Sequence, residues 1–161
     1  DLFSFSVCFA IVASKITKKA KTATIIKPVA KEGADGWLED NAIKSGSEIT
    51  LFKRVSKDWK TQEGSKNETA GRPGSPLEHP AWSPKINECG EGKYHACSRA
   101  YFCDEFRDKP DDRYVAIAIK KSDLYALPSP QYPRKIAFRR GHVLHECDRW
   151  GEKIAEAAPC K

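Results

Sequence analysis

Arg113-Tyr-Val-Ala-Ile-Ala-Ile119 is the stretch that sets the fold class. Its β-branched and aromatic residues alternate with small ones, the period of two that marks a strand. Upstream, Glu48-Ile-Thr-Leu-Phe-Lys-Arg-Val55 has the same character, and Lys93-Tyr-His-Ala-Cys97 is a shorter strand. Downstream, Lys135-Ile-Ala-Phe-Arg139 and His142-Val-Leu-His-Glu-Cys147 flank Arg140-Gly141, which predicts a hairpin with glycine in its turn. Helical signals are fewer. The Ser98 hydroxyl is placed to accept an unpaired amide proton of a first turn, which predicts a helix through Arg107 with Ala100, Cys103 and Phe106 on its buried face. Asp148 is placed to cap a last helix over 149–157, and 37–43 predicts a short early one. Strand, loop, strand, helix, strand, two strands, helix is the order of an α+β domain: a small, mostly antiparallel sheet with two or three short helices.

A length of 161 residues supports one domain and an appendage. Residues 1–46 read as an extended N-terminal appendage and 47–161 as the α+β domain. Phe3, Phe5, Val7, Phe9 and Ile11 alternate with small residues, an apolar strand suited to docking on a partner or on the domain. A lysine arm follows: Lys15, Lys18, Lys19, Lys21, Lys27 and Lys31, with no acid between 15 and 31. Setting those six aside leaves 22 of the 28 basic residues against 22 acids, so the net charge of +6 belongs to the arm. Such an arm either neutralises the phosphates of a nucleic acid or another polyanion, or is a solvated linker. Residues 61–85 carry no periodicity and are rich in Gly, Pro, Ser and Asn, the composition of a long loop. No apolar run reaches the roughly 18 residues of a membrane-crossing helix. The six cysteines are not spaced as a small secreted framework, which favours a cytoplasmic or virion-associated setting. Asn67-Glu-Thr69, a glycosylation acceptor in a secretory context, leaves secretion open.

Chemistry-bearing residues concentrate between Cys89 and Glu105. Cys89, His95, Cys97 and Cys103 are the residue types that zinc takes, although no C-x-x-C knuckle is present; the alternative is buried free thiols with His95 hydrogen-bonded inside the fold. Cys97 or Cys89 with His95 or His142 would supply a thiolate and a base, although no flanking signature accompanies them. A binding cleft is the third reading, with His95, Arg99 and Tyr101 facing Arg139, Arg140 and His142 from the hairpin. Arginine and histidine beside an aromatic ring suit a phosphate or a nucleotide base. Its alternative is a solvated hairpin tip with an exposed Arg99.

Gly90-Glu-Gly-Lys-Tyr-His-Ala-Cys-Ser-Arg-Ala-Tyr-Phe-Cys103, followed by the strand from Arg113 to Ile119, resembles the middle of ADP-ribosyltransferase-like folds. Thr50-Leu-Phe-Lys-Arg54 is similar to the first strand of their arginine-containing branch, and His142-Val-Leu-His-Glu-Cys-Asp148 to their closing strand. The resemblance implies a cleft for NAD near Arg54, His95, Tyr101 and Glu146. This sequence departs from the pattern at the catalytic glutamate: Gly141 or His142 stands at the expected place, and Glu146 lies three or four residues later. The spacing from Cys89 to Cys97, Cys-x-x-Gly-x-x-His-x-Cys, also resembles small domains of phages and bacterial mobile elements, which implies context but no mechanism.

Three functions follow as expectations. The first is a non-catalytic binding module, phage or bacterial, contacting nucleic acid or a larger assembly through residues 1–31. The second is an NAD-using transferase with a displaced glutamate. The third is a phage-type structural or assembly protein, oligomeric through its N-terminal strand.

Overall fold

The structure, a computed structural model, describes residues 33–84, 91–126 and 132–155. In chain order it has helix α1 (Gly33–Asp40) and strands β1 (Glu48–Val55), β2 (Lys60–Thr61), β3 (Thr69–Ala70), β4 (Pro76–Glu78), β5 (Tyr94–Cys97), β6 (Arg113–Lys120), β7 (Leu124–Tyr125), β8 (Lys135–Phe138) and β9 (Arg140–Cys147). Short 3-10 turns fall at Ala100–Glu105 and Lys121–Asp123. The fold is a mostly antiparallel sheet with few helices, as the alternation of β1 and β6 requires. Among the described residues, seven strands form one sheet in the order β4-β9-β6-β1-β5-β8-β7. No helix among them is long and apolar enough to cross a membrane.

The predicted hairpin is not formed. β8 pairs with β5 and β7, whereas β9 pairs with β6 and β4, so three strands separate the two in sheet order. A single residue, Arg139, joins them, which limits their ends to about 7 Å of separation. The Arg139 amide donates to Asp123 O beside β7 (2.9 Å), and its carbonyl accepts from His79 N beyond β4 (3.0 Å). The two edges of the sheet therefore meet at this corner and the sheet is rolled around its core, a strand changing sides through a bend. Gly141 is needed for close approach, not for a turn: a Cβ there would stand 2.9 Å from the Ala118 carbonyl oxygen of β6. Inside the roll lie Leu51, Leu77, Tyr94, Ile117, Ile136, Phe138 and Val143, all buried.

Four features differ from expectation. The early helix, Gly33–Asp40, starts before and ends before the expected 37–43, because Ala42 adopts a left-handed φ of 52° and the amides of Ala42 and Ile43 turn back to Glu39 O and Leu38 O, a helix-ending motif. Trp37 and Leu38 of this helix sit in the same core as the sheet, so residues 33–46 are part of the domain; 1–32, with the apolar strand and the lysine arm, lie outside the described residues. The helix expected from Ser98 is a 3-10 turn that starts after Arg99, because the Ser98 amide is taken by Arg134 O (3.1 Å) in continuation of the β5–β8 ladder. The last helix is absent through Ala155. Asp148 does accept the amides of Trp150 and Glu152, but Gly151, at φ 93°, turns the chain back to bridge Lys153 to Cys147.

A cationic cleft between two diverging strands

β1 has unequal neighbours. With β6 it is in register from Glu48↔Lys120 to Val55↔Arg113. With β5, among the described residues, it is in register only at Phe52↔Cys97. Continuing that ladder would set Arg54 opposite His95. Lys53 explains the interruption. It follows Ile49 and Leu51 on the core face of β1, where its stem can be buried but its ammonium cannot. The ammonium turns into the gap between the strands and donates to His95 O (3.1 Å), beside the Tyr94 ring.

The gap is the mouth of a cleft of about 200 Å³. β1 supplies Phe52, Lys53 and Arg54, β5 supplies His95 and Cys97, and β8 supplies Lys135; the 3-10 turn and its exit add Cys103, Phe106 and Arg107, and Thr61 and Gln62 close the side. None of these lining residues is an acid. Lys135 Nζ lies 4.2 Å from the centre of the Phe106 ring and 4.3 Å from that of Tyr132. Arg107 is held by Asp112 through two contacts of 2.8 Å, which fixes its guanidinium at the rim.

Arg54 braces the roof. Its guanidinium donates to Asp104 (3.0 Å), to Arg107 O (2.6 Å) and to Lys109 O (2.8 Å), with only 9% of its side chain exposed. Asp104 also accepts from Tyr114 and Arg149. Two buried polar atoms on the cleft wall, Arg54 Nε and Thr61 Oγ1, have no hydrogen-bond partner among the described residues. Buried polar atoms are normally satisfied, so these two stand out as exceptions.

His95 registers the field. Burial, and then the ammonium groups of Lys135, Lys53 and Lys93, push its imidazole down to about 3, so it is neutral at physiological pH. Two cysteines are held as thiols: a hydrogen bond with Cys97, then burial, raises Cys103, and burial pushes Cys147 up to about 12.

The residues expected at a site are partly brought together. Arg54 and His95 line the cleft, whereas Tyr101 stacks on Phe102 and Trp150 outside its lining. Glu146 stands on β9, two strands from β1, ion-paired with Arg113 at 2.9 Å. Of the zinc set, Cys97, Cys103 and His95 line the cleft and Cys89 lies outside the described residues; among those residues no three His, Cys, Asp or Glu groups are placed to hold a metal. The cleft expected from His95 with the hairpin residues is not assembled, because the hairpin does not form. Arg140 and His142 line a separate hollow with Glu48, Glu78 and Asp123, where Arg140 pairs with Asp123 at 3.0 Å. Arg139 occupies the corner beside Glu78, and Arg99 donates to Ser98 O. Lys15, Lys18, Lys19 and Lys21 lie outside the described residues. Lys53, Arg107 and Lys135 were not singled out by sequence. The available signal is Lys53 interrupting the apolar face that Ile49, Leu51 and Val55 make along β1.

Comparison with known proteins returns no matching family model, no matching curated protein and no matching solved structure.

Proposed function

We propose that this protein is a non-catalytic nucleic-acid-binding module whose cleft between β1 and β5 receives a phosphate of the ligand. The observation that supports this is the composition of the cleft: among the described residues, Lys53, Arg54, Arg107 and Lys135 line a space with no acid in its lining, Arg54 pairing with Asp104 and Arg107 with Asp112 and Glu63 behind it, and the Phe52 and Phe106 rings lie beside them. Cations of this kind neutralise phosphate, and a ring face accepts a base. The lysines of 15–31 add attraction of the same sort without sequence preference.

The test is a salt-dependent titration of the full chain with a labelled oligonucleotide. Affinity should fall steeply with salt, and the K53Q/K135Q double variant should bind about tenfold more weakly or worse, since each phosphate contact carries part of the salt-dependent term. Unchanged affinity in that variant, with affinity lost in K15Q/K18Q/K19Q/K21Q, would move binding to the arm. The ADP-ribosyltransferase-like reading is favoured by Arg54 and His95 sharing one cleft, and disfavoured by the capture of Glu146 by Arg113. NAD turnover that disappears in E146Q would replace the binding module with that enzyme.

A further inference from the structure

We infer that a row of rings and guanidinium groups along the Ala100–Glu105 turn is a stacking track for single-stranded nucleic acid, leading to the cleft. Arg134 lies over Phe102 (5.1 Å), Phe102 meets Tyr101 (4.4 Å), Tyr101 meets Trp150 (6.0 Å), and Arg149 lies over Trp150 (5.7 Å). The turn uses Ala100 and Cys103 to face the core, which leaves Tyr101 and Phe102 on its outer side. Trp150 is 68% exposed, far more than a residue of its size requires for packing. Rings interleaved with guanidinium groups are what a single strand needs: each base offers a face to stack, and each linkage offers a negative charge. In a duplex those faces are hidden. Asp104, on the turn, is offset by Arg54 and Arg149, while Asp148, which accepts the Trp150 amide at 2.8 Å, and the exposed Glu105 flank the row.

The row is continuous with the cleft. Arg134, over Phe102, precedes Lys135, which lies over Phe106 on the cleft wall. This inference rests on the nucleic-acid reading above and narrows its ligand to an unpaired strand.

The experiment uses the full chain, a labelled single strand of mixed sequence, the same strand in a duplex, a nucleoside monophosphate and an acidic peptide. Binding is read by anisotropy and by quenching of tryptophan fluorescence. The single strand should bind at least tenfold tighter than the duplex. W150A should weaken it by about 5- to 150-fold, the loss of one stacked base, while leaving monophosphate affinity unchanged. W150F should retain most of the affinity. Because Trp150 is exposed, the thermal midpoint of W150A should match that of the parent chain, which separates lost stacking from lost folding. If no oligonucleotide binds, the underlying reading fails. If strand and duplex bind alike, or W150A binds as tightly as the parent, the track fails while that reading stands. An acidic peptide that displaces the strand at equal affinity would make the row a protein-docking surface and overturn the inference.

Discussion

The two sides of β1 show how one strand can be both core and binding wall. Toward β6, Leu51 faces Ile117 and Val55 faces Arg113 in an unbroken ladder. Toward β5, the ladder is reduced to Phe52↔Cys97, and the place of further backbone bonds is taken by Lys53 reaching His95 O. The difference lies at Lys53, whose ammonium follows Ile49 and Leu51 on the core face and reaches the gap instead of the core, and the gap is lined by Arg54, His95 and Lys135. Stability is thus expected to reside on the β6 side and binding on the β5 side.

The comparison can be broken most severely at Leu51, which is fully buried on the β6 side. Leu51→Ala should cost about 2–5 kcal/mol by urea denaturation, through lost transfer energy and a residual cavity. A loss well under 1 kcal/mol would show that the β1–β6 ladder does not anchor the fold. Arg54 comes next, because its removal leaves Asp104 and two carbonyls short of a donor. Arg54→Ala should cost about 1–3 kcal/mol and speed amide exchange around 104–109.

Acid sharpens the contrast. The folded His95 imidazole lies at about 3, below its unfolded value near 6.5. Its contribution is therefore fully present above about pH 6.5 and is lost as pH falls toward 3. Between about pH 6.5 and 4.5, before most carboxylates titrate, stability should drop by about 1–2 kcal/mol, and His95→Gln should flatten that slope. An unchanged slope in the variant would show that burial and the neighbouring ammonium groups do not hold the imidazole neutral. The smallest stability effect is expected at the cause of the splay. Lys53→Met restores an apolar residue on the core face, so unfolding free energy should stay level or rise by up to about 1 kcal/mol, at the expense of binding.

Sequence made the ladder legible and hid the cleft. β1 and β6 announce themselves because local alternation and their long-range pairing agree, with Ile49, Leu51 and Val55 on the same face as the partners they meet. The last two strands misled for a physical reason. Arg140-Gly141 has turn composition, but the glycine is required by the proximity of Ala118, a residue distant in sequence. Asp148 accepts two following amides as a helix cap would, but no helix follows, because Gly151 makes the turn the return of a strand edge. Arg54 and His95, which the sequence singles out separately, line one cleft. Lys135 could not be singled out, because its place beside Cys97 depends on the β5–β8 register, which no local pattern encodes.

The most direct measurement pairs urea denaturation of the K53Q/K135Q full chain with its titration by a labelled single strand at low and moderate salt. A variant as stable as the parent to within about 1 kcal/mol, with affinity reduced tenfold or more and a shallower salt dependence, is the expected result. Full affinity with an unchanged salt dependence would contradict a phosphate site between β1 and β5.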